Sequence, residues 1–204
     1  LKGLTPNICS YCNAEFKIEK LLQYAEKFSC NYIVTGHYAR KNDSLIGIAK
    51  DSWKDQSFML YRLSEKQREK LLLPLGQKMK DEVKDFVRQC GYEEIANKRE
   101  SFGLCFTNGK HYSEFLLEKY PELKKLENGK VFNKNNQEIG THKGYPFYTI
   151  GQYKGLNCEG KQYINKIIAE ENAIFVGEKS ECYFSTLRLN SLVFSQNIEN
   201  IKLN

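Results

Sequence analysis

The rhythm of the chain changes near Lys98, and that break restricts the possible architectures more than any single motif. Before it, helical and extended patterns alternate. Ile18, Leu21, Leu22, Ala25 and Phe28 recur at helical spacing, and NYIVTG (Asn31 to Gly36) then reads as a buried strand. Ser64 and Gln67 fit a capping box that opens a second helix. A third runs from Lys80 to Cys90, with Val83, Phe86, Val87 and Cys90 in one stripe and Gly91 as its stop. After the break, glycines, aromatics and short segments take over. One helix is expected from Tyr112 to Tyr120, ended by Pro121, and KVFNKNNQEIG reads as a hairpin with Asn135 and Asn136 suited to a tight turn of positive φ. QYINKIIAEENAIFVG and LNSLVFS then read as strands of a small barrel or sandwich. The expected divisions are residues 1–97, 98–160 and 161–204.

Composition narrows the class without naming a function. At 204 residues and 41% hydrophobic content the chain can build a packed core, and no run approaches the ~18 apolar residues that cross a membrane. The first residues lack the apolar core of a signal peptide, so a cytoplasmic or organelle-matrix protein with no membrane partner is expected. Both ends look cut, which suggests an internal piece of a longer protein. Seven cysteines, an odd number at scattered spacings, read as mostly reduced thiols. A net charge of +6 and 13% aromatic residues would suit a polyanion with exposed bases, although solvated lysines and core packing account for both.

Five short stretches carry the chemistry: TPNICSYCN (Thr5 to Asn13), TGHYAR (Thr35 to Arg40), KDQS (Lys54 to Ser57), SFGLCF (Ser101 to Phe106) and IGTHKGYPFYTIGQYKGL (Ile139 to Leu156). Cys9 and Cys12 form a CxxC placed just before a helix expected to begin near Ala14, where free amide N–H groups favour a thiolate at Cys12. A nucleophile, a thioredoxin-like redox pair, half of a zinc site and two inert thiols all fit that spacing. Zinc is disfavoured because no second CxxC or HxxxH completes a ligand set, so no structural metal is expected. Cys105 reads either as a loop-borne thiol able to approach a partner or as a small core residue. Cys30, Cys90, Cys158 and Cys182 read as inert.

Gly36 and His37 follow a strand at the edge where open α/β sheets bind ligands, and Gly36 permits close backbone approach to a nucleotide. KDQS suits phosphate and base-edge contacts and equally suits a solvated turn. Lys143, Tyr153 and Lys154 near Gly151 and Gly155 suit RNA backbone contact or an ordinary β-turn. His111 and His142 have no convergent partner in the sequence.

Taken in order, the five stretches resemble the tRNA-specific 2-thiouridylases over essentially the whole chain. The resemblance implies an α/β plus β architecture: the C-terminal part of an adenine-nucleotide α-hydrolase-like (ATP-pyrophosphatase) domain, a small central α+β tRNA-binding domain with the persulfide-cysteine loop, and the first strands of a β-barrel. It implies ATP-dependent replacement, by sulfur, of the C2 oxygen of the wobble uridine of tRNA. ATP with Mg2+, tRNA and an upstream persulfide donor protein are the implied cofactor and partners. Cys12 matches the nucleophile and Cys105 the persulfide carrier, and the two can pair as a disulfide, which needs Cα atoms within ~7 Å and so a moving or tRNA-ordered loop. Gly36 matches an ATP contact, His37 a tRNA contact, Lys54, Asp55 and Gln56 a tRNA-contacting triplet, and Asn7, Ile8 and Cys9 the places that meet the target base.

Ile8 stands where the family usually has Pro, Cys9 where some members have Asp, and Tyr153 where the family has Arg. The family's phosphate-cradling SGGxDS loop occurs nowhere in the chain and would belong before Leu1, so this piece alone is expected to be inactive. Two rivals stand beside this reading: a thiol-disulfide redox protein working through Cys9 and Cys12, and a non-catalytic tRNA-binding module.

Overall fold

A computed structural model describes residues 2–99, 104–107 and 109–186. They form two compact units, residues 7–99 and residues 2–6 with 104–186. The expected strand LNSLVFS lies outside the described residues.

The unit of residues 7–99 begins with an unbroken helical rod: α1 (Ile8–Tyr11), a π-helical stretch (Cys12–Lys17) and α2 (Ile18–Lys27). Ile18, Leu21, Leu22 and Ala25 turn the apolar stripe of α2 onto a core with Ile33, Ala39, Leu60, Leu63 and Leu71. Phe28 is not part of that stripe. It caps the helix in solvent and stacks on Tyr24, because the helix ends there and the α2 phase no longer governs its direction. Complete burial of Ile18, Leu60, Leu63 and Leu71 contributes about 2 kcal/mol each.

Only Ile33 and Val34 of the expected NYIVTG strand form β1, which pairs in parallel with β4 (Leu71–Leu72). Ile33 is buried and Val34 is exposed, so the strand has one covered face rather than two. Between them come the hairpin β2 (Arg40–Asn42) and β3 (Leu45–Gly47), and α3 (Glu65–Lys70), which runs directly into β4. The Ser64–Gln67 capping box is formed: the Gln67 amide donates to Ser64 Oγ and the Ser64 amide to Gln67 Oε1. Gly76 lets this layer close, since a Cβ there would lie 2.0 Å from the Ala39 carbonyl oxygen. The unit ends in α4 (Lys80–Gln89), stopped by Gly91 at φ 84°, and α5 (Glu93–Asn97). The Val83 to Cys90 stripe lines up on α4 as expected, yet no residue of α4 is buried.

In the second unit α6 (Tyr112–Lys119) is followed by a short 3-10 turn that starts at Pro121. A five-stranded sheet follows: β5 (Gly129–Phe132), β6 (Glu138–His142), β7 (Asn157–Cys158), β8 (Tyr163–Ile168) and β9 (Ala173–Gly177), in the order β7-β6-β5-β9-β8. β5 and β9 run parallel and the other pairs antiparallel. In the β5–β6 turn only Asn136 has positive φ, at 58°, while Asn133 Oδ1 accepts the amides of Asn135 and Gln137.

Among the described residues the sheet is open, with β7 and β8 at its edges. Val131, Tyr148, Ile164, Ile174 and Val176 form one core beneath it, so the expected division at residue 160 runs through a single sheet. Buried His142 closes one end: its Nδ1 accepts the Gly144 amide at 3.0 Å and its Nε2–H reaches the Asn172 carbonyl at 3.1 Å. No helix among the described residues is long and apolar enough to cross a membrane.

Candidate functional site

The thiol-bearing helix starts at Ile8, not near Ala14, because Asn7 caps it. Its Oδ1 accepts the Ser10 amide at 3.3 Å and its backbone carbonyl accepts the Ser10 hydroxyl at 2.8 Å. The free amides of the first turn therefore lie at Ile8 and Cys9, one turn before Cys12. Cys9 and Cys12, three residues apart on one helix face, are both half-buried free thiols. Cys12 also opens the π-helical stretch, a wider winding that concentrates at functional sites.

Neighbouring segments lock this helix from the side. The Asn7 side-chain amide donates to the Phe58 carbonyl at 3.3 Å and that of buried Asn13 to the Met59 carbonyl at 3.2 Å. Gln67 donates to the Ala14 carbonyl at 2.7 Å, inside the π stretch. Arg62 lies 3.9 Å from the Tyr11 ring centre and 3.4 Å from Glu15, and the Ser10 hydroxyl reaches Tyr61 at 3.4 Å. Asn13, Tyr61 and Arg62 have no signal in the sequence, since each acts across about fifty residues.

Gly36 and His37 lie just past the carboxyl end of β1, as the sequence implies. Gly36 is exposed, and a Cβ there would meet only Leu75 Cδ1 at 3.7 Å, an ordinary contact. Packing among the described residues therefore does not require glycine here, in contrast to Gly76, and an approaching ligand would have open access to the backbone. The half-buried His37 holds Thr35 Oγ1 at 2.9 Å, and burial, then the charge of Lys17, pushes its pKa below the usual value. It is the neutral imidazole that faces any ligand at neutral pH.

KDQS is tied to that segment. Gln56 Oε1 accepts the Tyr38 amide at 3.0 Å, and the Gln56 amide donates to the Tyr38 carbonyl at 2.7 Å. Asp55 accepts the Ala49 amide and the Ser57 hydroxyl, each at 2.7 Å. Asp55 and Gln56 thus brace the loop from within, and half-buried Lys54 precedes them.

Cys105 belongs to the other unit. It is an exposed free thiol at the start of a 3-10 turn (Cys105–Thr107) rather than in an irregular loop. Its neighbours anchor that turn: Phe106 packs on Phe115 of α6 at 4.9 Å between ring centres, and buried Thr107 hydrogen-bonds the Leu104 carbonyl through both its amide and its hydroxyl. Near the expected RNA-facing cluster, Tyr153 lies against Tyr163 with the Lys154 and Lys161 ammonium groups over its ring, an aromatic flanked by two cations. A cavity of about 380 Å³ lies beside it, with His111, Lys143, Gln152 and Lys154 among its walls.

A family model described as the tRNA methyl transferase HUP domain matches residues 1–109, and one described as the tRNA methyl transferase PRC-barrel domain matches residues 113–178. Proteins named tRNA-specific 2-thiouridylase from Chlorobium chlorochromatii and, as MnmA 3, from Bacteroides fragilis are 41% and 38% identical over 187 residues, 88% of this chain. One from Natranaerobius thermophilus is 38% identical over 211 residues, covering 98% of this chain. The chain belongs to the tRNA-specific 2-thiouridylase family. It spans about half the length of the curated relatives it matches, 52%, 51% and 56% respectively. Family membership gives the two units their types: the thiol-bearing helix, Gly36, His37 and KDQS lie in the HUP match, and the five-stranded sheet lies in the PRC-barrel match.

Proposed function

We propose that the protein is part of an enzyme that converts the wobble uridine of tRNA to 2-thiouridine, with Cys105 as persulfide carrier and Cys12 as its resolving nucleophile. The observation that carries this reading is an exposed thiol on an anchored turn, in a chain whose relatives are named for 2-thiouridylation. The family models are named for methyl transfer, whereas the relatives that match most of this chain are named for 2-thiouridylation, and the reading follows them.

ATP, with Mg2+, supplies the leaving group by adenylating the uridine O2 with loss of diphosphate. Gly36 is where this chain would admit the nucleotide, since its backbone is exposed and only Leu75 Cδ1, at 3.7 Å, lies near the place of a side chain. An upstream donor protein loads Cys105 as Cys–S–SH. The terminal sulfur attacks C2 and AMP departs with the oxygen, leaving the base joined to Cys105 through a disulfide. The Cys12 thiolate then attacks Cys105 Sγ, which releases the C2 sulfur as thiocarbonyl and leaves a Cys12–Cys105 disulfide for a cellular dithiol to reduce. Neutral His37 and Lys54 would meet the tRNA, Asp55 and Gln56 would hold the Lys54 loop in shape, and Asn7, Ile8 and Cys9 would face the target base.

Cys105→Ser in the full protein tests this directly. Nucleoside mass spectrometry of tRNA should show 2-thiouridine lost, with the melting temperature unchanged because the thiol is exposed. Retained thiolation, with dependence on Cys9 instead, would replace the reading by a redox role for the Cys9–Cys12 pair. Salt-sensitive tRNA binding by the full protein without ATP-dependent thiolation would leave a non-catalytic module. Gly36→Ala should keep the fold and weaken ATP binding.

A further inference from the structure

We infer that Trp53 is a stacking platform for an unpaired nucleobase of the RNA. This rests on the tRNA reading above and adds a contact to it. Trp53 is the sole tryptophan of the sequence and is 94% exposed, although an indole normally buries 150–250 Å² of surface. Its exposure does not come from a loose loop. The Trp53 amide donates to Asp51 Oδ1 at 3.2 Å, the Lys54 amide to the Asp51 carbonyl at 3.1 Å, and the Lys80 amide at the start of α4 to Asp51 Oδ2 at 3.0 Å. One residue further on, Asp55 and Gln56 tie the other side of the loop to Ala49, Ser57 and Tyr38.

The same bonds set the sign of the surface. All four carboxylate oxygens of Asp51 and Asp55 accept hydrogen bonds from within the protein, so both acids are turned inward. The exposed element is the indole, with half-buried Lys54 next to it in the sequence and Lys50, ion-paired to Glu82 at 3.1 Å, on the same loop. An aromatic face with adjacent ammonium groups fits a base whose flanking phosphates need cations. The loop also runs straight into residues 57–59, whose Phe58 and Met59 carbonyls clamp Asn7 and Asn13 beside Cys9 and Cys12. A base held by Trp53 is therefore registered to the segment that fixes the thiol-bearing helix.

The test measures binding of unmodified tRNA to the full protein across a salt series. Trp53→Ala should weaken binding about tenfold at every salt concentration, with Trp53→Phe restoring most of it, because stacking needs a ring face and not a charge. Lys54→Ala should instead lower the slope of log K against log salt by about one. The melting temperature of Trp53→Ala should not move, since nothing packs on the indole. If Trp53→Ala binds tRNA as tightly as the parent while Lys54→Ala weakens binding, the stacking contact is wrong and the tRNA reading stands. Equal loss in Trp53→Ala and Trp53→Phe also overturns it. Absence of salt-dependent tRNA binding by the parent overturns both.

Discussion

Cys12 and Cys105 sit in opposite kinds of surroundings. Cys12 lies in the second turn of a twenty-residue helical rod whose flanks are held by Asn7, Asn13 and Gln67, and its thiol is half-buried. Cys105 stands exposed on a three-residue turn, and what is anchored there is its neighbours, Phe106 and Thr107, rather than the thiol itself. One arrangement fixes a sulfur in place and the other offers a sulfur to whatever approaches. A carrier must meet a donor and then an acceptor, whereas a resolving nucleophile must wait at one spot, and the two environments suit those two duties.

Removing the fixed thiol is the sharpest way to break this contrast. Cys12→Ser in the full protein should cut 2-thiouridine formation by about 100-fold or more and trap tRNA on Cys105 as a thiol-labile adduct visible on a denaturing gel. An active Cys12→Ser enzyme would show that the half-buried sulfur is only packing.

The next effect concerns stability. A Cβ at Gly129 would lie 2.1 Å from the Asn172 carbonyl oxygen and 2.2 Å from the His142 ring. Gly129→Ala should cost about 3 kcal/mol or more in chemical denaturation, and hydrogen exchange should show the loss concentrated in the sheet unit. Gln67→Ala should be milder, about 1–2 kcal/mol. It removes one side of a capping box and leaves the Ala14 carbonyl, two residues past Cys12, without its side-chain donor.

The smallest effect is the dependence on pH. Burial lowers the pKa of His142 and of His37 below the ordinary 6.5, with the Asn172 carbonyl partly opposing it at His142 and Lys17 adding to it at His37. The unfolded chain then binds a proton at each imidazole before the folded one does, so stability should fall as pH drops through 6.5 toward the lowered values and level off beneath them. Protonation would also turn Nδ1 of His142 into a donor facing the Gly144 N–H. His142→Gln should flatten its share of the slope in denaturation curves taken between pH 7 and pH 5.

Local signals were legible wherever one short segment decides the outcome. Ser64 with Gln67, Gly91 after α4, Pro121 after α6 and Asn136 at the hairpin each act within a few residues, and each appears in the structure as read. The start of the thiol-bearing helix was missed because Asn7 caps it eleven residues ahead of Ile18, where the clear apolar repeat begins. NYIVTG looked like a strand buried on both sides because composition reports hydrophobicity and not how many neighbours a strand acquires. The motif residues of the site could be picked out from their order along the chain. The inward turn of Asp55 and Gln56 could not, because their partners Ala49 and Tyr38 are brought in by the fold.

The parallel pairing of β5 with β9 reaches into the order of folding. Lys130 pairs with Ala173, and parallel strands cannot be joined by a tight turn, so β6, β7 and β8 must all be made before the central strand gains its second neighbour. Every described helix and strand of the unit bearing Cys12 has been synthesised by Asn97. On a ribosome the helix that bears Cys12 is thus made before any strand of the five-stranded sheet.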